Sequence, residues 1–257
     1  MAINFPHKDE IPLSSPPLTE VVCQVRFPPI LQIAQDLPGA FQEGIRRRFP
    51  QLEVEQGVEI VAPRLLEGGE PLARTKPRVF RFKSEDEQAN VSLAVDFYAL
   101  SYNQYRHWSD FAADLQLVQE TMMDVYKPSY ATRIGLRYIN RFTLDNTGCT
   151  SKAEFLALFR PELTALLRND VGQQAADMAC RLSFQEEPAQ LNVRIAFQES
   201  DEMAFVLDFD YFEKGKLPLA GLIERCNRYH EIIYDSFRWS LLDENLERFS
   251  PVNEEAS

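Results

Sequence analysis

The sequence predicts an α+β protein in which two tandem β-α-β-β-β-α repeats form one curved antiparallel sheet with its helices on one face. Two observations predict this fold: the same order of apolar patterns occurs twice along the chain, and similar residues recur at a nearly constant offset. The repeats span residues 18–128 and 129–242. Residues 1–17, rich in proline, serine and charge, are expected to form an extended lead-in, and residues 243–257 an acidic tail.

The offset connects separate elements of the two halves. Arg137 follows Arg26 by 111 positions, and Asp208 follows Asp96 by 112. Acidic residues of the long helix that ends each repeat show the same offset of 111. This regularity favours an internal duplication. Joining the two sheets edge to edge would remove two exposed strand edges, which gives the duplication a physical reason.

In the first repeat, alternation over residues 21–27 predicts a strand, which Pro28-Pro29 ends because proline cannot donate to a ladder. Helical spacing over residues 30–49 predicts a helix that Pro38-Gly39 kinks or splits. Apolar residues three and four apart predict a long helix over residues 108–125. The segments between these helices are expected to be three strands and a loop: strands 52–61, 78–83 and 91–98, and loop 63–77.

In the second repeat, alternation over residues 131–144 predicts a strand, followed by a turn at residues 145–148. Ser151 and Glu154 have the spacing of a capping box, so a helix is expected from there to about Leu167. The remaining elements are a hairpin, a further strand and a long last helix: 178–184 with 191–198, 204–212 and 219–241.

This order of elements resembles the saddle of TATA-binding proteins and, more loosely, the helix-grip folds. The resemblance implies an open sheet face opposite the helices. It carries no function by itself. The phenylalanine wedges and basic underside with which such a saddle binds DNA have no clear counterpart in this sequence.

Two motifs stand out, PPLTEVV over residues 16–22 and RIGLRYINR over residues 133–141. With them, nearly the whole chain resembles a bacterial family of sporadically distributed proteins of about this size. That family has no established activity. The resemblance implies a bacterial protein, and the patchy distribution implies a mobile or defence-linked operon, including CRISPR-associated ones.

The composition predicts a cytoplasmic protein without metal or cofactor. No apolar run approaches the roughly 18 residues of a membrane span, and the N-terminus lacks the pattern of a signal peptide. The four cysteines are too far apart for a zinc or redox motif, and no nucleotide-binding or metalloprotease motif occurs. The three histidines are expected to form no constellation with a nucleophile, so no enzyme activity is expected.

The candidate binding residues are expected on the sheet face opposite the helices: Arg26, Asp96, Arg133, Arg137, Arg141 and Asp208. One interpretation is a polar groove whose arginines bind a carboxylate, a phosphate or a partner peptide. The other, which we favour, is two ion pairs that hold the strand order, Arg26 with Asp96 and Arg137 with Asp208. The unmatched Arg133 and Arg141 make the second half the better place to expect a ligand.

The absence of a catalytic set favours a non-enzymatic interaction module with a protein partner. A net charge of −12 argues against a general nucleic-acid binder, because such affinity comes from Lys and Arg that neutralise phosphates. The alternative is a nucleic-acid-binding accessory protein that uses the open sheet face. A small-ligand binder or an enzyme, with its groove at Arg137 and Asp208, is the third hypothesis.

Overall fold

One nine-stranded antiparallel sheet dominates the part of the chain that the computed structural model describes, residues 5–55, 58–61, 72–75, 78–199 and 202–251. The strands are β1 (Leu18–Arg26), β2 (Gln51–Glu55), β3 (Val58–Val61), β4 (Leu72–Thr75), β5 (Val79–Lys83), β6 (Ala89–Ala94), β7 (Phe97–Tyr102), β8 (Ala131–Thr143), β9 (Asp177–Glu186), β10 (Ala189–Glu199) and β11 (Met203–Leu217). The sheet has the order β2-β5-β6-β7-β1-β8-β11-β10-β9, and β3 and β4 form a separate two-stranded sheet.

The helices of the described residues are also numbered in chain order. They are α1 (Leu31–Gln35), α2 (Gly39–Ile45), α3 (Trp108–Val125), α4 (Leu144–Thr147), α5 (Lys152–Ala157), α6 (Pro161–Arg168) and α7 (Leu222–Ser240), with 3-10 helices at Gly172–Gln174 and Asp243–Phe249. None of the helices described is long and apolar enough to cross a membrane.

The central pair of the sheet is β1 with β8, where Cys23 lies opposite Leu136 and Val25 opposite Ile134. All four of these side chains are fully buried. The residues between them, such as Gln24 on β1, are more exposed. Alternation on these strands therefore gives the sheet one core face and one open face.

Helices α3 and α7 pack together on the core face. The Trp108 ring of α3 stacks on the His230 ring of α7, with centroids 4.6 Å apart. The Gln119 amide of α3 donates to the carbonyl oxygen of Leu219, 3.3 Å away, just before α7. Large aromatic side chains fill the space between helices and sheet, and fully burying each one contributes about 1.5–3 kcal/mol. They include Phe41, Phe80, Phe82, Phe111, Phe142 and Phe205.

The structure corrects the predicted first half at three places. The predicted strand 52–61 is two strands, β2 and β3, which belong to different sheets. The predicted strand 91–98 is a hairpin, since β6 ends at Ala94 and the chain turns at Val95-Asp96 into β7. The predicted loop 63–77 contains β4, and the rest of that segment lies outside the described residues. The expected break at Pro38-Gly39 is confirmed, because α1 and α2 are separate helices.

Two differences also appear in the second half. The predicted turn at 145–148 is helix α4, with a capping box between Thr143 and Asn146. The predicted helix from Ser151 is divided into α5 and α6, and Pro161 stands in the first turn of α6, where its missing N–H costs nothing. The Ser151 hydroxyl caps α5 by accepting from the N–H of Glu154.

Both ends of the described chain pack on the helix layer. The backbone N–H of Lys8 donates to Asp235 of α7 at 2.9 Å, and Leu13 forms a β-bridge with Pro251. Within the segment predicted as a tail, the Phe249 side chain is fully buried. Residues 5–17, which we call the N-terminal strap, therefore lie across α7.

Candidate functional site

The open face carries a buried carboxylate between two arginines. Arg137 donates through Nε and Nη2 to the two carboxylate oxygens of Asp208, each at 2.7 Å. Arg194 of β10 donates to the same carboxylate at 3.1 Å. The Asp208 side chain is only 7% exposed. The hydrogen bonds to Asp208 raise the pKa of Arg137, so the guanidinium is charged at every physiological pH.

The two arginines that the sequence left unmatched also have carboxylate partners. Arg133 Nη2 donates to Asp210 at 2.7 Å, and Arg141 Nη1 donates to Glu202 at 2.7 Å. The Arg133 guanidinium lies 4.4 Å from the centroid of the Phe212 ring. A Cβ at Gly135 would overlap this guanidinium, so any other residue there would require the Arg133 side chain to shift.

The pair in the first half is looser. Arg26 Nη1 lies 3.5 Å from Asp96, and the two side chains are 45% and 37% exposed. Asp96 stands in the β6–β7 turn rather than within a strand. The structure thus brings together both pairs of the favoured interpretation, but with different geometry: one is bidentate and buried, the other single and exposed.

The sequence analysis missed two rows of like charge on the open face. Arg26 of β1 lies opposite Arg133 of β8, which lies opposite Lys214 of β11. Arg181 of β9 lies opposite Arg194 of β10. Like charges directly opposite each other destabilise a sheet. Within the described part of the chain, Lys214 and Arg181 form no ion pair. Each of the other three residues of these rows pairs with a carboxylate of the chain.

A second constellation lies on the other side of the sheet, under the strap. The Tyr138 hydroxyl and His230 Nδ1 are 2.7 Å apart, and His230 Nε2 lies 3.1 Å from a carboxylate oxygen of Glu10. His230 is 5% exposed. The carboxylate assigns the proton to Nε2, so Nδ1 accepts from the Tyr138 O–H.

The groups that flank His230 keep fixed protonation states near neutral pH, so they can bind and orient a ligand. The hydrogen bond from His230 lowers the pKa of Glu10, so its carboxylate is charged. Burial raises the pKa of Tyr105 and of Tyr138, so both phenols stay neutral, and Tyr138 donates to His230. The Tyr105 hydroxyl is buried and has no hydrogen-bond partner among the described residues.

A cavity of about 60 Å³ lies beside this chain of hydrogen bonds. Its lining comes from the strap, the residues before α3, strand β8 and helix α7: Glu10, Ile11, Pro12, Leu13, Pro16, Pro17, Leu18, Tyr105, Arg106, Tyr138, Asn140, His230, Tyr234 and Phe237. No pattern in the sequence points to this site, because Glu10 and His230 are 220 residues apart. His230 therefore joins a constellation that the sequence analysis did not expect.

The described residues contain no group of three or more His, Cys, Asp or Glu side chains that could hold a metal ion. Two cysteines that are far apart in sequence do meet, Cys23 and Cys226, with their sulfur atoms 3.8 Å apart. The hydrogen bond with Cys23 and burial raise the pKa of Cys226, so its thiol is poorly nucleophilic. The pair packs as small hydrophobic side chains.

Comparison of the chain with protein-family models and with curated proteins found no match.

The buried carboxylate should matter more for stability than its counterpart in the first half. We expect Asp208→Asn to lower the free energy of unfolding by about 2 kcal/mol, because two arginines lose a charged acceptor. The matched variant Asp96→Asn removes an exposed pair and should cost about 0.5 kcal/mol or less. Urea unfolding at pH 7 measures both values. Equal losses of unfolding free energy in the two variants would contradict the claim that the buried pair contributes more to stability than the exposed pair.

The contact between Glu10 and His230 should hold the strap in a pH-dependent way. The folded pKa of Glu10 is lowered, so its contribution is present above its ordinary pKa of 4.5 and is lost as the pH falls through the lowered folded value. We expect Glu10→Gln to speed amide hydrogen exchange at Lys8 and Ile11 at pH 7. This difference from the unmodified chain should shrink below pH 4.5. Asp9→Asn is the control, and a difference that stays constant with pH would refute the role of the carboxylate.

Proposed function

We propose that the protein is a non-enzymatic interaction module that binds an acidic segment of a protein partner on the open face of its sheet. The observation that carries this proposal is the pair of like-charge rows, Arg26 with Arg133 and Lys214, and Arg181 with Arg194. The chain as a whole has a net charge of −12, so these rows are a local reversal of its charge. Like charges placed side by side cost stability, and carboxylates of a partner would offset that cost.

The side chains of the rows suit such a partner. Arginine binds carboxylates through two parallel hydrogen bonds, and Arg181 has no ion-pair partner within the described ranges. The rings of Phe97 and Phe212 lie beside Arg26 and Arg133, at 5.6 Å and 4.4 Å from the guanidinium carbons. Arginine and aromatic residues are the types enriched at binding hot spots.

We also propose that the two halves arose by duplication and that the sheet has the curvature of a saddle. The strand order supports this, because β7-β6-β5 flank β1 as β11-β10-β9 flank β8. The register limits the match. If Arg26 corresponds to Arg137, then Phe97, opposite Arg26, corresponds to Asp210, opposite Arg137. The predicted match of Asp96 with Asp208 is therefore displaced by one residue.

A cytoplasmic location in a bacterium and a defence-linked, CRISPR-associated operon remain part of the proposal. Their support is the resemblance carried by the motifs at residues 16–22 and 133–141. An adaptor without its own chemistry fits such a setting, because its partner would supply the activity.

A nucleic-acid-binding accessory protein is the second candidate. The same rows favour it, since arginine also binds phosphate bidentately. The net charge of −12 opposes it, because the rest of the surface repels a polyanion. Binding to nucleic acid would fall steeply with salt and would be removed by nuclease.

Charge reversal on the open face should remove the partner. We expect the tagged protein to capture a stoichiometric protein from the bacterium that encodes it, both with and without nuclease. The double variant Arg181→Glu/Arg194→Glu should recover at least about tenfold less of this partner, because the two introduced glutamates would repel its carboxylates. The control Arg46→Glu/Arg47→Glu has the same change in charge at the end of α2, in the helix layer, and should leave capture unchanged.

The outcomes separate the candidates. Capture that the open-face variant leaves intact would refute this face as the interface. A partner that is lost on nuclease treatment, or recovery of nucleic acid itself, would replace the first candidate with the second. Circular dichroism of each variant is the control that tests whether the fold is retained.

A further inference from the structure

We propose that the cavity under the strap binds a small zwitterion with an ammonium group and a carboxylate, of the amino-acid or betaine class. This site lies on the helix side of the sheet, so it is independent of the interface on the open face. Four features support the proposal: aromatic walls, one charged side chain of each sign, an unpaired buried hydroxyl and a fitting size.

The walls of the cavity suit a cation. Three tyrosines and a phenylalanine line it: Tyr105, Tyr138, Tyr234 and Phe237. The rings of Tyr105 and Tyr138 have centroids 5.7 Å apart and are tilted by 56°. Ammonium groups, quaternary ones above all, are attracted to the faces of such rings. Because burial raises the pKa of both tyrosines, the rings remain neutral phenols.

The two charges at the cavity have opposite signs. The Glu10 carboxylate is ionised at neutral pH because its hydrogen bond with His230 lowers its pKa. It would face the ammonium group of the ligand. Arg106 also lines the cavity, and its guanidinium forms no ion pair or hydrogen bond with any of the residues the structure describes. It would bind the carboxylate of the ligand through two hydrogen bonds.

The Tyr105 hydroxyl gives a third polar contact. It is buried without a hydrogen-bond partner among the described residues, and an unmade bond of this kind costs stability. A ligand carboxylate held by the neighbouring Arg106 would accept from it. A ligand without a carboxylate, whether neutral or cationic, would leave either the Tyr105 hydroxyl or the Arg106 guanidinium without a partner.

The size limits the ligand class. A cavity of about 60 Å³ holds roughly four to six waters. That is the space of the charged head of a small zwitterion rather than of a nucleotide or sugar. Apolar strap residues such as Pro12, Leu13 and Pro16 offer contacts for methyl groups.

Three probes separate the contributions of the two ligand charges. Glycine betaine carries both charges, tetramethylammonium carries only the cation, and 3,3-dimethylbutyrate is the isostere of betaine with carbon in place of the charged nitrogen. By isothermal titration calorimetry, we expect betaine to bind at least about tenfold more tightly than either of the others. The measurement uses the full chain at neutral pH.

Variants connect the binding to this cavity. Arg106→Gln should weaken betaine about tenfold and leave tetramethylammonium unchanged, since only the carboxylate contact is lost. Tyr105→Phe should weaken betaine about five- to tenfold. Arg47→Gln removes the same charge just after α2, outside the lining of the cavity, and should have no effect. Glu10→Gln should weaken both cationic probes, but it also loosens the strap, so Arg106→Gln is the decisive variant.

Three results would overturn the proposal. Betaine that shows no binding at millimolar concentration would indicate a cavity that holds water only. Equal affinity for betaine and dimethylbutyrate would remove the role of the cation. Unchanged betaine affinity in both Arg106→Gln and Tyr105→Phe would place the binding elsewhere on the protein.

Discussion

The pairing of β1 with β8 is the contact on which the rest of the structure depends. It joins the five strands that end at β1 to the four that begin at β8, so that β2 and β9 are the only edges of the nine-stranded sheet in the described part of the chain. Alternation fixes its register. A slip by one residue would move Arg137 into the core and Leu136 onto the open face. The fully buried Cys23, Val25, Ile134 and Leu136 oppose that slip.

This register also separates the chemistry of the two faces. Arg137 and Tyr138 are neighbours in sequence, yet Arg137 bonds to Asp208 on the open face and Tyr138 to His230 on the helix side. The open face is therefore a charged surface of ion pairs and like-charge rows, on which we propose that a protein partner binds. The helix side has a small cavity, which we propose binds a small ligand. Strand β8 thus contributes residues to both sites, Arg137 to the open face and Tyr138 to the cavity.

Local patterns predicted most elements, but long-range contacts had to come from the structure. Alternation identified β1 and β8, and the face of Arg133, Arg137 and Arg141 follows from it. The β6–β7 turn was missed because the run 91–98 is apolar on both sides of Val95-Asp96, which hides the reversal. Asp210 could have been found as the second residue after Asp208 on the same face. Glu10 and Glu202 could not, because only the fold brings them to His230 and Arg141.

Amide hydrogen exchange of the full chain tests the central role of the β1–β8 pairing most directly. If this pairing holds the sheet together, the amides of β1 and β8 exchange most slowly and open together with those of β7 and β11, at the free energy of global unfolding. Two halves that open at separate free energies, with β8 and β11 still protected after β1 and β7 have exchanged, would contradict it.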